Sequence, residues 1–127
     1  MKKTIPILVF FLAIGCKNET ELSMERGIQY YEWEMIEKAV LEFKYVIHKL
    51  SDPSQKQSFR EVKILSRAHH NLAIAYAKKK WYIEAAKESQ MAFDLFPSED
   101  NRKVLELIKL KKSKQNKVEP TRIDSSR

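Results

Sequence analysis

The side chains that could carry chemistry are few. The chain of 127 residues has one cysteine, Cys16, and three histidines, His48, His69 and His70. A hydrolytic centre needs a nucleophile, a base and a group that orients the base. No such grouping is spelled out here. His69 and His70 are adjacent, so on a helix they diverge by about 100° and cannot share one metal ion. There is no His-Glu-x-x-His pair and no glycine-rich phosphate loop, and the whole chain holds only two glycines. Glu34, Glu37 and Lys38 read as helix surface with local charge pairing. The expectation is a protein that is not an enzyme, with no metal and no dissociable cofactor.

Cys16 has a different chemistry available. Met1, Lys2 and Lys3 make a short positive start, and Ile5 to Ile14 is apolar throughout apart from Pro6. Ten apolar residues make about 15 Å of helix, half the hydrocarbon thickness. That is a secretory h-region rather than a membrane span. The run ends in Leu12-Ala13-Ile14-Gly15-Cys16 and turns polar at once with Lys17, Asn18, Glu19, Thr20 and Glu21. It resembles a bacterial lipobox, with the leucine one place earlier than usual and Ala13 in its slot. The resemblance implies cleavage after Gly15, lipid on the Cys16 thiol and an acylated new amine. One acyl chain anchors only marginally, at about 0.8 kcal/mol per buried methylene, whereas several chains hold for a protein's lifetime. Lys17 in place of aspartate resembles an outer-membrane address. The expected location is membrane-anchored by lipid, on the periplasmic side or at the outer membrane.

The net charge of +7 is unevenly spread. Residues 24–108 carry 14 basic and 13 acidic side chains, whereas residues 109–127 carry seven and two. The basic character belongs to the tail, which reads as a solvated, disordered end. A nearly neutral middle and an export signal argue against nucleic acid as a partner. With a single cysteine there is no internal disulfide and no multi-cysteine metal site.

The elements that must position everything else are helical. Leu, Ile, Lys, Glu and Ala dominate the middle of the chain, which predicts an all-α fold. Two stretches share one spacing. Gly27-Ile28-Gln29-Tyr30 aligns with Ala73-Ile74-Ala75-Tyr76, Ala39 with Ala85, and Val46 with Ala92. Leu72, Ala73, Tyr76, Ala85, Ala92 and Pro97 in the second copy, and Gly27, Tyr30, Ala39 and Phe43 in the first, resemble the tetratricopeptide repeat (TPR). Small residues let antiparallel helices approach, and large ones fill the space between layers. Ser89 stands where an aromatic is usual, Arg26 where a leucine is usual, and neither copy has the glycine usual at the turn. The copies are 46 residues apart against a family period of 34. The insertion falls near Ser51–Leu65, where Asp52-Pro53-Ser54 is a break with helix-start character and Phe59, Val62, Leu65, Ala68, Leu72 and Tyr76 recur at steps of three and four, which predicts the first helix of the second copy extended backward by two or more turns. Ser98 is an N-cap candidate, and Val104, Leu105, Ile108 and Leu110 suggest a last helix that caps the second copy. The resulting division is a signal peptide at 1–15, a lipidated linker at 16–22, a TPR-like domain of two helix–turn–helix copies plus capping helix at 23–112, and a basic disordered tail at 113–127.

The resemblance implies a binding module. Helix A residues of such repeats line a concave face that grips peptides. Carried over, the face consists of Met24, Ile28 and Tyr31 from the first copy and Arg67, His70, Asn71, Ile74 and Lys78 from the second. An apolar half beside a basic half suits a peptide with an apolar anchor and an acidic end. Trp33, Trp81 and Tyr82 near the turns form a second candidate surface. Two copies make a shallow groove, which leaves room for a protein or peptide partner in the envelope, or a homo-oligomer, to complete it. The alternative is a structural surface or periplasmic lipoprotein without a dedicated peptide-binding groove.

Overall fold

The computed structural model describes residues 18–118. The segment expected to be a signal peptide, the expected lipidation site Cys16, Lys17 and the residues from 119 onward lie outside the described residues. The rest is all-α, with no strand among the described residues. It has five helices: α1 (Glu19–Glu32), α2 (Ile36–Leu50), α3 (Phe59–Lys78), α4 (Tyr82–Leu95) and α5 (Glu99–Val118). Each helix packs on its neighbour in sequence, and α1 and α5 also touch α3. Thus α1, α3 and α5 form one layer, and α2 and α4 pack against it from behind.

Two hairpins, α1–α2 and α3–α4, repeat one another across a shift of 46 residues. In the first turn the N–H groups of Trp33, Glu34 and Met35 donate to the carbonyls of Gln29, Tyr31 and Tyr30. In the second, Lys79, Lys80 and Trp81 donate to Ala75, Ala77 and Tyr76, the same carbonyls shifted by 46. Glu34 and Lys80 both adopt left-handed backbone, with φ of 59° and 62°. Here glycine would be the unstrained choice. The conformation is therefore imposed by the packing of the hairpins, not by the residue at the turn.

The core explains the small residues. Ala39, Val46, Ala68, Ala73, Ala75 and Ala85 are fully buried, with Phe43 and Leu72 the largest side chains sealed among them. A Cβ at Gly27 would lie 2.5 Å from Cε1 of Phe43. The shift-related pair in the second hairpin is Ala73 and Ser89, both small, and all four residues are buried. The first hairpin thus sets its smallest residue against a ring, whereas the second has two small side chains at these positions.

Three boundaries differ from the sequence expectation. Helix α1 begins at Glu19, inside the segment expected to be linker, because Glu19 and Glu21 in its first turn complement the helix dipole and Thr20 is already buried. Helix α5 continues to Val118, into the segment expected to be a loose tail, since residues 109–118 contain neither glycine nor proline to stop propagation. Asp52-Pro53-Ser54 is not a helix start. The Ser54 N–H and hydroxyl close a local turn on Asp52 Oδ1 at 2.9 and 2.7 Å. Helix α3 begins at Phe59 behind a capping box in which Ser58 Oγ accepts from Glu61 N–H and Glu61 accepts from Ser58 N–H. The extended helix expected before Ser66 is present. Leu105 and Ile108 face the core as expected, whereas Leu110 is half exposed.

Candidate functional site

The layer of α1, α3 and α5 carries two adjoining depressions. The first is a small apolar one of about 90 Å³, lined by Ile28 and Tyr31 of α1, Phe43 of α2, and Asn71 and Ile74 of α3. Ile28 and Ile74 come from positions related by the 46-residue shift, so the repeat itself brings them together. The second is a larger open cavity of about 530 Å³ between α3 and α5. Lys63, Ser66, Arg67, His70 and Asn71 form its α3 wall, and Asp100, Asn101, Lys103 and Val104 its α5 wall, so three cations face one carboxylate. Lys63, Arg67, His70 and Asn71 follow one another at helical spacing, so a single face of α3 supplies the basic side.

Asn71 lines both depressions. Its Nδ2 is buried and has no hydrogen-bond partner. A buried donor left unsatisfied costs about 1–3 kcal/mol. The arrangement leaves an amide donor, closed off from solvent, at the seam between an apolar pocket and a basic one.

The far wall is held by a polar network. Asn101 Nδ2 donates to Ser66 Oγ at 3.0 Å, to the Ala92 carbonyl at 3.1 Å and to the Phe96 carbonyl at 2.7 Å. Ser66 Oγ itself donates to the Ala92 carbonyl at 2.8 Å. Asn101 Oδ1 accepts from His70 Nδ1 at 2.8 Å, which places the ring proton on that nitrogen. Ser98 caps the helix by accepting the Asn101 N–H at 3.2 Å. These bonds fix α5 against α3 and α4 and so fix the width of the larger cavity.

The expected concave residues therefore separate. Ile28, Tyr31, Asn71 and Ile74 meet in the apolar depression, and Arg67, His70 and Asn71 line the basic one. Met24 is 4 % exposed and belongs to the core, because α2 covers the face of α1 it occupies. Lys78 lies at the turn end and pairs with Glu34 at 3.3 Å. Lys63, Ser66, Asn101 and Lys103 were not singled out in the sequence. The signal available for Asn101 was the Ser98 cap, which sets it three residues into the helix and facing inward.

The histidines part as their spacing requires. His69 is buried, with Nδ1 2.6 Å from Glu88 Oε2 on α4, while His70 faces α5. No group of three or more metal-ligating side chains occurs among the described residues. None of their helices is long and apolar enough to cross a membrane. Trp33 and Trp81 are about half exposed and pack on Tyr30 and Tyr76 at centroid distances of 6.3 and 5.7 Å. Comparison with protein-family models, with curated proteins and with solved structures gives no match.

Proposed function

We propose that the chain is a lipid-anchored protein–protein interaction module of the bacterial cell envelope, an adaptor or accessory built on two TPR-like hairpins and a capping last helix. The turn geometry repeated at 46 residues supports the repeat reading, and the leader ending at Cys16 supports the anchor. The observation that carries the binding reading is the unpartnered Asn71 amide between an apolar pocket and a basic one. A peptide laid along α3 would seat an apolar side chain on Ile28, Tyr31 and Ile74. It would present a main-chain carbonyl to Asn71, whose enclosed amide would turn outward to meet it, and direct an acidic group toward Arg67 and Lys63.

The test is crosslinking in intact cells, followed by the same experiment with Ile28→Asp/Ile74→Asp and with Asn71→Leu. One recurrent protein partner, lost in both variants, supports the module. Asn71→Leu is the more discriminating variant, because it removes a buried unsatisfied donor and so should leave folding stability unchanged or raised while binding falls. A partner retained by both variants, or no partner at all, would leave a structural lipoprotein as the better reading.

A further inference from the structure

The end of the molecule opposite the two turns gathers the start of α1, the loop 51–58, the start of α3 and the α4–α5 junction. Asn18, Glu21, Ser58 and Arg60 line one crevice there, and Arg60 reaches Glu21 across it. Phe59 is 71 % exposed although it is the first residue of a helix. Its ring meets that of Phe96 edge-on at 6.3 Å, and the Lys63 ammonium lies 5.7 and 5.5 Å from the two ring centres. Leu22, 41 % exposed, lies on the same end.

Among the carboxylates at this end, Glu21 is engaged by Arg60, Glu61 by the Ser58 cap, Asp52 by Ser54 and Glu99 by Arg102, while Asp100 is exposed at the start of α5. Lys49, Lys56 and Lys63 are exposed and have no carboxylate partner, Lys49 and Lys63 resting instead on aromatic rings. An exposed phenylalanine ring beside ammonium groups without carboxylate partners suits the headgroup level of an anionic bilayer.

We infer that this end, centred on Phe59, rests on the lipid surface. The inference depends on the anchor at Cys16 proposed above. Only Lys17 separates that cysteine from Asn18, which precedes α1. Two residue steps span at most about 7 Å. The start of α1 is therefore held at the bilayer, and Phe59 with it. The contact itself need supply little affinity, because the tether makes it intramolecular. What it sets is orientation. The turn end, with Trp33 and Trp81, stands away by the length of the 14-residue α1, about 20 Å.

The experiment uses the full lipidated protein, in vesicles of phosphatidylethanolamine and phosphatidylglycerol with brominated acyl chains. Intact mass first establishes lipid on Cys16. One sample keeps the native Trp33 and Trp81. The other carries Trp33→Phe, Trp81→Phe and Phe59→Trp, with its helix content checked by circular dichroism. The expected result is strong quenching and a blue shift for the tryptophan at 59, and unchanged emission from Trp33 and Trp81. Quenching of the native pair, or of neither sample, would overturn the orientation while the anchor stands. A protein without lipid mass at Cys16 would overturn both, and the mass spectrum tells that outcome from the others.

Discussion

Replacing Gly27 by alanine should reveal how tightly the first hairpin is packed. The added Cβ would lie 2.5, 2.8 and 3.1 Å from Cε1, Cδ1 and Cζ of Phe43. Comfortable carbon contacts fall at about 3.5–4.0 Å, so the overlap is about 1 Å. Phe43 is 1 % exposed, and the depression of about 90 Å³ beside Ile28 and Ile74 is the space its ring borders, so relieving the overlap means shifting a packed ring toward it. Overpacking of this kind costs about 1–3 kcal/mol. Against that, alanine in a helix interior gains about 1 kcal/mol over glycine. The net expectation in the native background is a loss of about 0–2 kcal/mol. In a Phe43→Ala background the clash is gone, and the same substitution should stabilise by about 1 kcal/mol. The ring deletion itself costs about 3–5 kcal/mol, so Phe43→Leu serves as a milder second background. The assay is urea unfolding followed by far-ultraviolet circular dichroism, read as a double-mutant cycle with an interaction energy of about 1–3 kcal/mol. Equal stabilisation by Gly27→Ala in every background would refute the close approach. The pair Gly27→Ala/Phe43→Ser reproduces the Ala73 and Ser89 of the second hairpin, and should be better tolerated than Phe43→Ser alone.

Glu61 titrates below its usual carboxylate range because the Ser58 backbone N–H, and then its hydroxyl, hydrogen-bond with it in the cap. A depressed folded pKa means that its stabilisation is complete above the unfolded value, 4.5, and is lost as pH falls through the lower folded one. Glu61→Gln should accordingly flatten the acid limb of the pH–stability curve below that point, and Ser58→Ala should cost about 1 kcal/mol at neutral pH. Glu34→Gly and Lys80→Gly should each stabilise by up to about 1 kcal/mol in the same unfolding assay, since each removes a left-handed non-glycine residue. Asn101→Ala should cost about 1–3 kcal/mol or more by orphaning its partners. Hydrogen exchange should show faster opening of α5 with little change in α1 and α2.

Much of this protein is legible in its residue order. The all-α class follows from composition and from apolar steps of three and four. The repeat follows from Gly27/Ala73, Tyr30/Tyr76 and Ala39/Ala85 recurring at one shift. The last helix follows from Ser98 and the pair Leu105 and Ile108. Local chemistry suffices for these, because periodicity fixes which face must be buried and caps fix where a helix starts. The helix limits were less legible. The Asp52-Pro53-Ser54 turn and the Ser58 cap use the same residue types, and only the fold shows which one opens α3.

The site was half legible. Ile28, Tyr31, Asn71 and Ile74 are expected on one face from the resemblance to the tetratricopeptide repeat, and they line one depression. Met24 is equally well spaced for the concave face, yet it is sealed because α2 lies over it. The basic cavity needed the position of α5, which depends on three carbonyl and hydroxyl acceptors converging on Asn101 from α3, α4 and the α4–α5 junction. Side-chain type and spacing determine which groups a helix can present. Which of them remain uncovered, and which amide is left without a partner, is decided only when helices distant in sequence close over one another.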